Sequence, residues 1–227
     1  MVNDMTQMSI IHMPINGRRF YFRENNFGDQ YVIVENIRRN QYHLLLKPHD
    51  VVLDIGGHIG SFAVSIASSV AEVISIEMDD ENFALLKTNA EQYENIIAVN
   101  AACVGKKTGD TEYYRAAKNS GATSRYIKRG RGEPLKAPTI TLGELVNTYN
   151  PTVIKCDVEG SEYEIFSSDI PAGVSQIAIE FHLGTKNFKL SATELYQKML
   201  TAGFSTEEFD FQNTKHWTKV MTFRREL

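Results

Sequence analysis

The sequence predicts an α/β fold with a mostly parallel β-sheet, helices on both of its faces and an antiparallel strand at one edge. From Val51 onward, short apolar runs alternate with amphipathic segments, which is the pattern of repeated β-α-β units. The runs contain few polar residues, as expected for strands covered on both faces. Two runs near the end of the chain are separated by residues 212–215 alone, which is too short for a parallel crossover and favours an antiparallel pair.

The composition is that of a folded chain with one core. Of its 227 residues, 42% are hydrophobic and 23% are charged, which excludes a disordered protein. The net charge of −4 argues against a protein that coats nucleic acid by electrostatic attraction. Cys103 and Cys156 lack the spacing of a disulfide framework or a metal site. With no leader pattern and no long apolar run, the sequence predicts a cytoplasmic chain without membrane insertion.

Residues 1–48 are predicted to form an extension that packs on the core. Asn16 and Gly17 suit a tight turn, so the flanking apolar runs predict a hairpin over residues 10–22. Apolar residues at helical spacing then predict a lid-like helix over residues 29–46, which Pro48 ends.

Residues 49–227 are predicted to form the main domain, in which strands and helices alternate. The predicted strands are 51–55, 72–77, 95–100, 152–158, 175–182, 204–211 and 216–225, which together make a seven-stranded sheet. The predicted helices are 59–69, 80–93, 142–149, 161–168 and 191–202. Residues 115–132 are predicted to form an irregular insertion.

A glycine-rich turn, DIGGHIG, follows the first strand of the main domain at residues 54–60. Such a turn lets the backbone approach a ligand and directs free N–H groups at it. Glu77 ends the next strand, where its carboxylate can accept hydrogen bonds from both hydroxyls of a ribose. Turn and acid together predict a nucleoside pocket, although ordinary turn chemistry and a solvated strand end would give the same pattern.

The spacing of the glycines selects among nucleoside ligands. A dinucleotide site needs Gly-x-Gly-x-x-Gly, and Ile55 stands where its first glycine would be. The turn suits a ligand whose amino-acid portion and sulfur pass over it without a pyrophosphate. S-adenosyl-L-methionine is such a ligand.

Four stretches of the chain resemble the FkbM family of class I S-adenosylmethionine-dependent methyltransferases. They are VVLDIGGHIGSFAV, EMDDENFALLKTNA, the helix start Thr141-Leu142 after PTI, and VIKCDVEGSEYEIF. The last is the most specific, because Lys-x-Asp-x-Glu-Gly-x-Glu after the fourth strand is typical of this family. Together they cover about residues 50–182. The chain departs from the family pattern at Gly57-His58, where Ala-Asn is usual, and at Met78, where Pro is common.

The resemblance implies a Rossmann-like class I fold and O-methylation of a hydroxyl on a sugar, glycan or polyketide-like small molecule. It also implies which residues line the cofactor, with Asp157 at its methionine end and Ala101 beside its adenine. The candidate cofactor-binding residues are Asp54, Gly56, Gly57, His58, Gly60, Glu77, Met78, Asn100, Ala101 and Asp157.

Polar residues at the ends of the fourth and fifth strands predict where the chemistry takes place. Asp157 and Glu159 lie two apart, as do Glu180 and His182, so each pair can point to one face. A hydroxyl acceptor needs a base, and His182 is the first candidate because its ordinary pKa lies nearest neutral pH. Glu159 is the second candidate for the base, and Glu180 is a further candidate catalytic residue.

Two other roles are open for these four residues. All four could instead hold a divalent cation that lowers the pKa of the hydroxyl. Alternatively, Glu159 could cap the following helix while His182 bonds a backbone carbonyl. Glu162 and Glu164 are expected to face solvent or the helix end.

The predicted insertion is basic. It carries six cations and no acidic residue, namely Arg115, Lys118, Arg125, Lys128, Arg129 and Arg131. Arg125, Lys128 and Arg129 are the candidate substrate-binding residues, since a mobile basic loop could grip a nucleotide-linked sugar, a phosphorylated glycan or a nucleic-acid end. A solvated loop is the alternative.

Two further functions stay open at this point. The basic loop would also suit methylation of nucleic acid at a ribose hydroxyl or a cap-like end. The fourth strand lacks the Asn/Asp-Pro-Pro-aromatic motif common in enzymes that methylate base amino groups. A cofactor-binding module without catalysis is the third function compatible with the sequence.

Overall fold

The computed structural model describes residues 9–116, 119–128 and 132–226. In chain order, its helices and strands are β1 (Ile10–Ile15), β2 (Arg18–Arg23), α1 (Phe27–Ile33), β3 (Val51–Ile55), α2 (Ser61–Ile66), β4 (Glu72–Glu77), α3 (Asp80–Ala90), β5 (Ile96–Asn100), β6 (Ala102–Val104), β7 (Asp110–Tyr113), β8 (Leu135–Thr141), α4 (Leu142–Tyr149), β9 (Val153–Cys156), α5 (Glu162–Ile165), β10 (Gln176–His182), α6 (Lys186–Thr201) and β11 (Thr218–Arg224).

The central sheet has six strands in the order β11-β10-β9-β3-β4-β5. All neighbours are parallel except β10 and β11, which run antiparallel at the edge. The predicted α/β fold is therefore confirmed. The strand predicted over residues 204–211 is reduced to a single antiparallel bridge between Ser205 and Arg224. Instead of extending the edge, this stretch buries Phe211 against Phe181 of β10, with 5.0 Å between ring centroids.

Two buried clusters lie on opposite faces of the sheet, because successive side chains of a strand point to opposite sides. Leu53 and Ile55 enter the cluster that α4 and α6 cover, whereas Val52 enters the cluster that α2 and α3 cover. Phe20 of the hairpin belongs to this second cluster. Burial on both faces explains why the strands are apolar along their whole length.

The predicted N-terminal hairpin is confirmed as β1 and β2, which pair antiparallel around a turn with positive φ at Asn16 and Gly17. The side chain of Asn89 in α3 accepts a hydrogen bond from the Tyr21 amide (2.7 Å) and donates one to the Tyr21 carbonyl (3.0 Å). These bonds join the hairpin to the main domain.

The helix predicted over residues 29–46 ends earlier. Asn26 caps α1 by accepting a hydrogen bond from the Asp29 amide, and α1 continues into a π-helical segment, Val34–Arg39, that stops at the left-handed Asn40. Beyond it, the Gln176 side chain bonds both the amide (2.9 Å) and the carbonyl (2.8 Å) of Leu45. These long-range backbone bonds favour an extended course over a continued helix.

The chain around the insertion is more ordered than the sequence indicates. Strands β6, β8 and β7 form a small second sheet in that order, and the insertion joins β7 to β8. Helix α5 has four residues rather than the eight predicted over 161–168. Among the described helices, none is long and apolar enough to cross a lipid bilayer.

Candidate functional site

A cavity lies beyond the carboxyl ends of β3, β4 and β9, where open α/β sheets bind their ligands. Its floor is the turn after β3. Its cover comes from the π-helical segment and from residues 120–125. The lining includes Gly56, Gly57, His58, Glu77, Met78, Ala101, Lys155, Asp157, Glu159 and Ser161 on the sheet side, and Val32, Glu35, Asn36, Gln41, Tyr42, Ser120 and Arg125 on the cover.

The floor of the cavity requires glycine at position 56. Gly56 has a φ of +83°, and a Cβ there would lie 1.8 Å from the carbonyl oxygen of Asp157. Its amide and that of Gly57 both donate to the carbonyl of Ile76, at 2.9 and 2.8 Å. The absence of a side chain at Gly56 therefore lets the turn after β3 pack directly against the backbone that follows β9.

Glu77 is buried at the end of β4 and faces the cavity. Its two carboxylate oxygens accept backbone hydrogen bonds, one from Asp79 (2.8 Å) and one from His58 (2.9 Å). Burial raises the pKa of Glu77 to about 7. Since a carboxylate has about four lone-pair positions, two remain to accept hydrogen bonds from a ligand.

His58 occupies the turn with a φ of +52°. Its Nε2 lies 2.8 Å from the Ser120 hydroxyl, and its Nδ1 has no hydrogen-bond partner among the described residues. Burial lowers the pKa of His58 to about 4, so the ring is neutral at physiological pH. A neutral imidazole adds no positive charge to this wall of the cavity.

Asp54 lies behind the wall rather than on it. Its buried carboxylate accepts a hydrogen bond from Ser75 (2.7 Å) and lies 3.0 Å from the Lys155 ammonium. Lys155 in turn donates to the carbonyl of Gly56 at 2.7 Å. Although burial opposes protonation, Asp54 and Asp157 raise the pKa of Lys155 above its ordinary value. The ion pair therefore holds the turn against β9.

Asp157 lines the cavity at the end of β9, where Tyr42 donates a hydrogen bond to its Oδ2 at 2.8 Å. Burial opposes its ionisation, but Lys155 and His182 lower the pKa of Asp157 below its ordinary value. Glu180 lies behind it, and burial followed by the Asp157 charge raises the pKa of Glu180 far above its ordinary value. The two neighbouring carboxyl groups are thus shifted in opposite directions, so Asp157 ionises at a lower pH than Glu180.

His182 lies outside the cavity lining. Its Nε2 is 3.3 Å from Glu159, and its Nδ1 is 3.3 Å from Glu162. Burial opposes protonation, but the hydrogen bonds to these two carboxylates raise the pKa of His182 well above its ordinary value. As an imidazolium it has no lone pair to accept a proton, so the geometry does not favour the predicted base role.

Of the two positions expected for Glu162, solvent and the helix end, the first is wrong. Its side chain is fully buried. It accepts hydrogen bonds from the amides of Gly160 (2.9 Å) and His182 (2.8 Å). The short helix α5 turns this carboxylate inward, where it joins the ends of β9 and β10.

The alternative of a divalent cation finds no support in the geometry. In residues 9–116, 119–128 and 132–226, no group of three or more His, Cys, Asp or Glu side chains is placed to hold a metal ion.

The remaining cofactor candidates differ in position. Met78 and Ala101 line the cavity beside Glu77. Asn100 instead donates to the Glu77 carbonyl at 2.9 Å. Gly60 begins α2 with a φ of +88°, and a Cβ there would meet a side chain of α3. These last two residues support the wall from behind.

The basic insertion reaches the cavity through Arg125, which also pairs with Glu164 and donates to Thr111 at 3.0 Å. Lys128 lies over the ring of Tyr114, 5.4 Å from its centroid. Arg129, the third candidate, is outside the described residues, as are Lys118 and Arg131.

Arg115 at the base of the insertion is held by three carboxylates at the start of α3, those of its cap Asp79 and of Asp80 and Glu81 in its first turn. Two of the described cations of the insertion, Arg115 and Arg125, are thus engaged by this chain's own acids. That pairing weakens the case for a loop built to grip phosphate.

The lid-like helix predicted over residues 29–46 contributed none of the candidate site residues, although the structure brings this segment to the cavity. Glu35 and Asn36 reach it from the π-helical segment, and Tyr42 reaches it from the extended stretch that follows. The only local signal is a pair of polar residues in an apolar periodic run, which is also typical of a solvated helix face.

Comparison with known proteins adds a family to this geometry. Residues 54–206 match the family model described as the methyltransferase FkbM domain. No match was found among curated proteins.

Solved structures show a similar fold. M. jannaschii TYW2 in complex with AdoMet is 11% identical with a TM-score of 0.51, covering 97% of this chain and 88% of that one. The methyltransferase FkbM from Methylobacillus flagellatus KT is 16% identical with a TM-score of 0.52, covering 83% of this chain and 47% of that one. Trm5b from Pyrococcus abyssi is 11% identical with a TM-score of 0.51, covering 96% and 55%. This chain thus matches about half the length of the last two proteins.

Proposed function

The chain belongs to the FkbM methyltransferase family, and we propose that it transfers a methyl group from S-adenosylmethionine to a hydroxyl of a sugar, glycan or polyketide-like small molecule. The observation that carries this proposal is the cavity over the glycine turn, with Gly56, Glu77 and Asp157 around it. They come from three strand ends that lie side by side in the sheet.

Buried polar atoms support the fit of this cofactor. Asn36 Oδ1, His58 Nδ1 and Ser161 Oγ have no hydrogen-bond partner among the described residues, and all three residues line the cavity. Unsatisfied buried polar atoms are costly, so their grouping at one cavity indicates a polar ligand.

The wall residues suit the successive parts of the cofactor. Glu77 would accept hydrogen bonds from the ribose hydroxyls, Met78 and Ala101 would contact the adenine, and Asp157 would face the methionine portion. When bound, S-adenosylmethionine supplies a methyl carbon that its sulfonium makes electrophilic. The chain's own contribution is to hold the acceptor oxygen in line with that carbon and to take its proton.

Glu159 is the proton acceptor that we propose in place of His182. It lines the cavity, and His182 lies 3.3 Å behind it as a cation. The proton of the acceptor hydroxyl passes to Glu159 while the new O–C bond forms and the C–S bond breaks, which gives a methyl ether and S-adenosylhomocysteine. His182 is a positioning residue, because it orients the carboxylate without touching the substrate.

The charges of the cavity favour a neutral acceptor. Glu35, Asp157 and Glu159 line it. Its two described cations are already paired with other acids, Lys155 with Asp54 and Arg125 with Glu164. Carboxylates repel phosphate, so this wall supports a hydroxyl-bearing sugar or polyketide more than a nucleic acid.

The test combines binding with transfer. Calorimetry with S-adenosylhomocysteine measures the first, and tritiated methyl transfer from S-adenosylmethionine to cell extracts measures the second. Labelled product that resists ribonuclease and is carbohydrate or small molecule supports the proposal. Label that ribonuclease releases would favour nucleic-acid methylation, and binding without labelled product would favour a non-catalytic module. Glu159→Gln tests the proposed proton acceptor: it is expected to bind S-adenosylhomocysteine normally and to transfer the methyl group about 10²- to 10⁴-fold more slowly.

A further inference from the structure

Asn36 lies outside residues 54–206, the part of the chain that matches the family model. It is carried by the π-helical segment Val34–Arg39, and segments of this kind are frequent at functional sites. Its Nδ2 donates to the Ser61 hydroxyl at 2.7 Å. That hydroxyl is itself directed at the carbonyl of Val32, 3.4 Å away, so its lone pairs face Asn36. The amide is thereby oriented with its nitrogen toward Ser61.

The opposite end of this amide is the unsatisfied one. Asn36 Oδ1 is buried without a hydrogen-bond partner among the described residues, on a side chain that lines the cavity. A buried carbonyl oxygen that lacks a donor loses the hydrogen bonds it would make to water, which destabilises the site. A ligand that brings an N–H group to this point would remove that destabilisation.

The surroundings indicate which kind of donor fits. Ser61 begins α2 directly after the glycine turn, so Asn36 lies above the end of the cavity where the amino-acid portion of the cofactor would pass. Glu35 and Asp157 line the same region and are close enough to repel each other. An ammonium group carries several N–H donors and a positive charge, which suits one amide oxygen together with nearby carboxylates.

We propose that Asn36 binds the α-ammonium group of the methionine portion of S-adenosylmethionine, with Oδ1 as the acceptor. Asp157 approaches the same group from the sheet side. The proposal rests on the proposed function, and it makes the N-terminal segment part of the cofactor site.

Two ligands test it, because 5′-methylthioadenosine contains the adenosine and sulfur of S-adenosylhomocysteine but lacks its amino-acid portion. Calorimetry at pH 7 with Asn36→Ala should show about tenfold weaker binding of S-adenosylhomocysteine, the loss expected for a hydrogen bond to a charged group. Binding of methylthioadenosine should stay within about twofold, so the second ligand controls for damage to the fold. Unchanged binding of both ligands, or an equal loss of both, would overturn the proposal.

Asn36→Asp is the matched variant, since its carboxylate keeps an acceptor at the same place. It should retain the affinity for S-adenosylhomocysteine, and a loss as large as that of Asn36→Ala would contradict the assignment. If circular dichroism shows Asn36→Ala to be unfolded, the polar Asn36→Ser takes its place. Failure of the unaltered chain to bind either ligand would reject the proposed function itself, whereas normal binding by all variants would reject this inference alone.

Discussion

Substituting Gly56 by alanine is the sharpest test of the way in which the cavity floor is built. Gly56 has a φ of +83° and touches the backbone of Asp157. Gly109 has the same φ of +83°, but a Cβ there would meet nothing within 4 Å. Gly109→Ala therefore measures the backbone strain alone, and Gly56→Ala measures the strain together with the clash.

The structure sets how much more the free energy of unfolding should fall in Gly56→Ala than in Gly109→Ala. The left-handed conformation costs an alanine about 1–2 kcal/mol at either site. At position 56 the Cβ and the Asp157 oxygen must also move apart from 1.8 Å to at least 3.0 Å. That movement disturbs the 2.7 Å hydrogen bond from Lys155 to the Gly56 carbonyl, and a bond to a charged group contributes about 1.5–3 kcal/mol. Gly56→Ala should therefore lower the free energy of unfolding by about 3–5 kcal/mol, against about 1–2 kcal/mol for Gly109→Ala.

Urea unfolding followed by circular dichroism measures both values by linear extrapolation. Calorimetry with S-adenosylhomocysteine should also show that Gly56→Ala loses binding while Gly109→Ala keeps it. If the two variants unfold at the same urea concentration, the close approach of Gly56 to β9 does not exist as described.

Three further predictions concern titratable groups. Burial raises the pKa of Glu77 to about 7, and its ionised form is the better hydrogen-bond acceptor, so binding of S-adenosylhomocysteine should strengthen about tenfold between pH 6 and pH 8. Calorimetry with Glu77→Gln should show an affinity that does not change over this pH range. If the affinity of both proteins changes equally with pH, Glu77 does not have this role. Burial lowers the pKa of His58 to about 4 in the folded chain. As the pH falls from about 6.5 to 4, the imidazole is therefore protonated in the unfolded chain but not in the folded one, and the free energy of unfolding should fall by up to about 3 kcal/mol. His58→Asn, which tolerates the positive φ, should lack that contribution in urea unfolding at a series of pH values, and an unchanged pH dependence would refute the assignment. His182→Gln should lower the free energy of unfolding by about 3–5 kcal/mol, measured by urea unfolding, because it leaves Glu159 and Glu162 without the buried cation between them. A loss below about 1 kcal/mol, as expected for an exposed ion pair, would be inconsistent with this ion network.

The sequence anticipated the parts of the site that depend on topology. Gly56, Glu77 and Asp157 each end a strand or follow it directly, and neighbouring parallel strands bring their carboxyl ends to one edge of the sheet. The structure places all three around one cavity. Their functional roles stay predictions, but their proximity follows from a rule that needs only the order of the strands.

The charge of His182 could not be predicted in this way. From the sequence it is a histidine two residues after Glu180, which fits a general base. Its protonation depends on Glu159 and Glu162, which approach it from the far end of β9 and from α5. Burial and long-range contacts decide a pKa, and neither has a local sequence signal.

The chain by itself determined the alternation of strands and helices, the hairpin, the glycine turn and the family, because each depends on residues close together in sequence. Only the tertiary structure decided which segment covers the cavity. Tyr42 bonds Asp157 across 115 residues, and Asn36 reaches Ser61 from a segment whose helix ends at Asn40. Such contacts form only when the extension folds onto the sheet. Their partners are selected by packing between segments that are distant in sequence, which no periodic pattern in the sequence reveals.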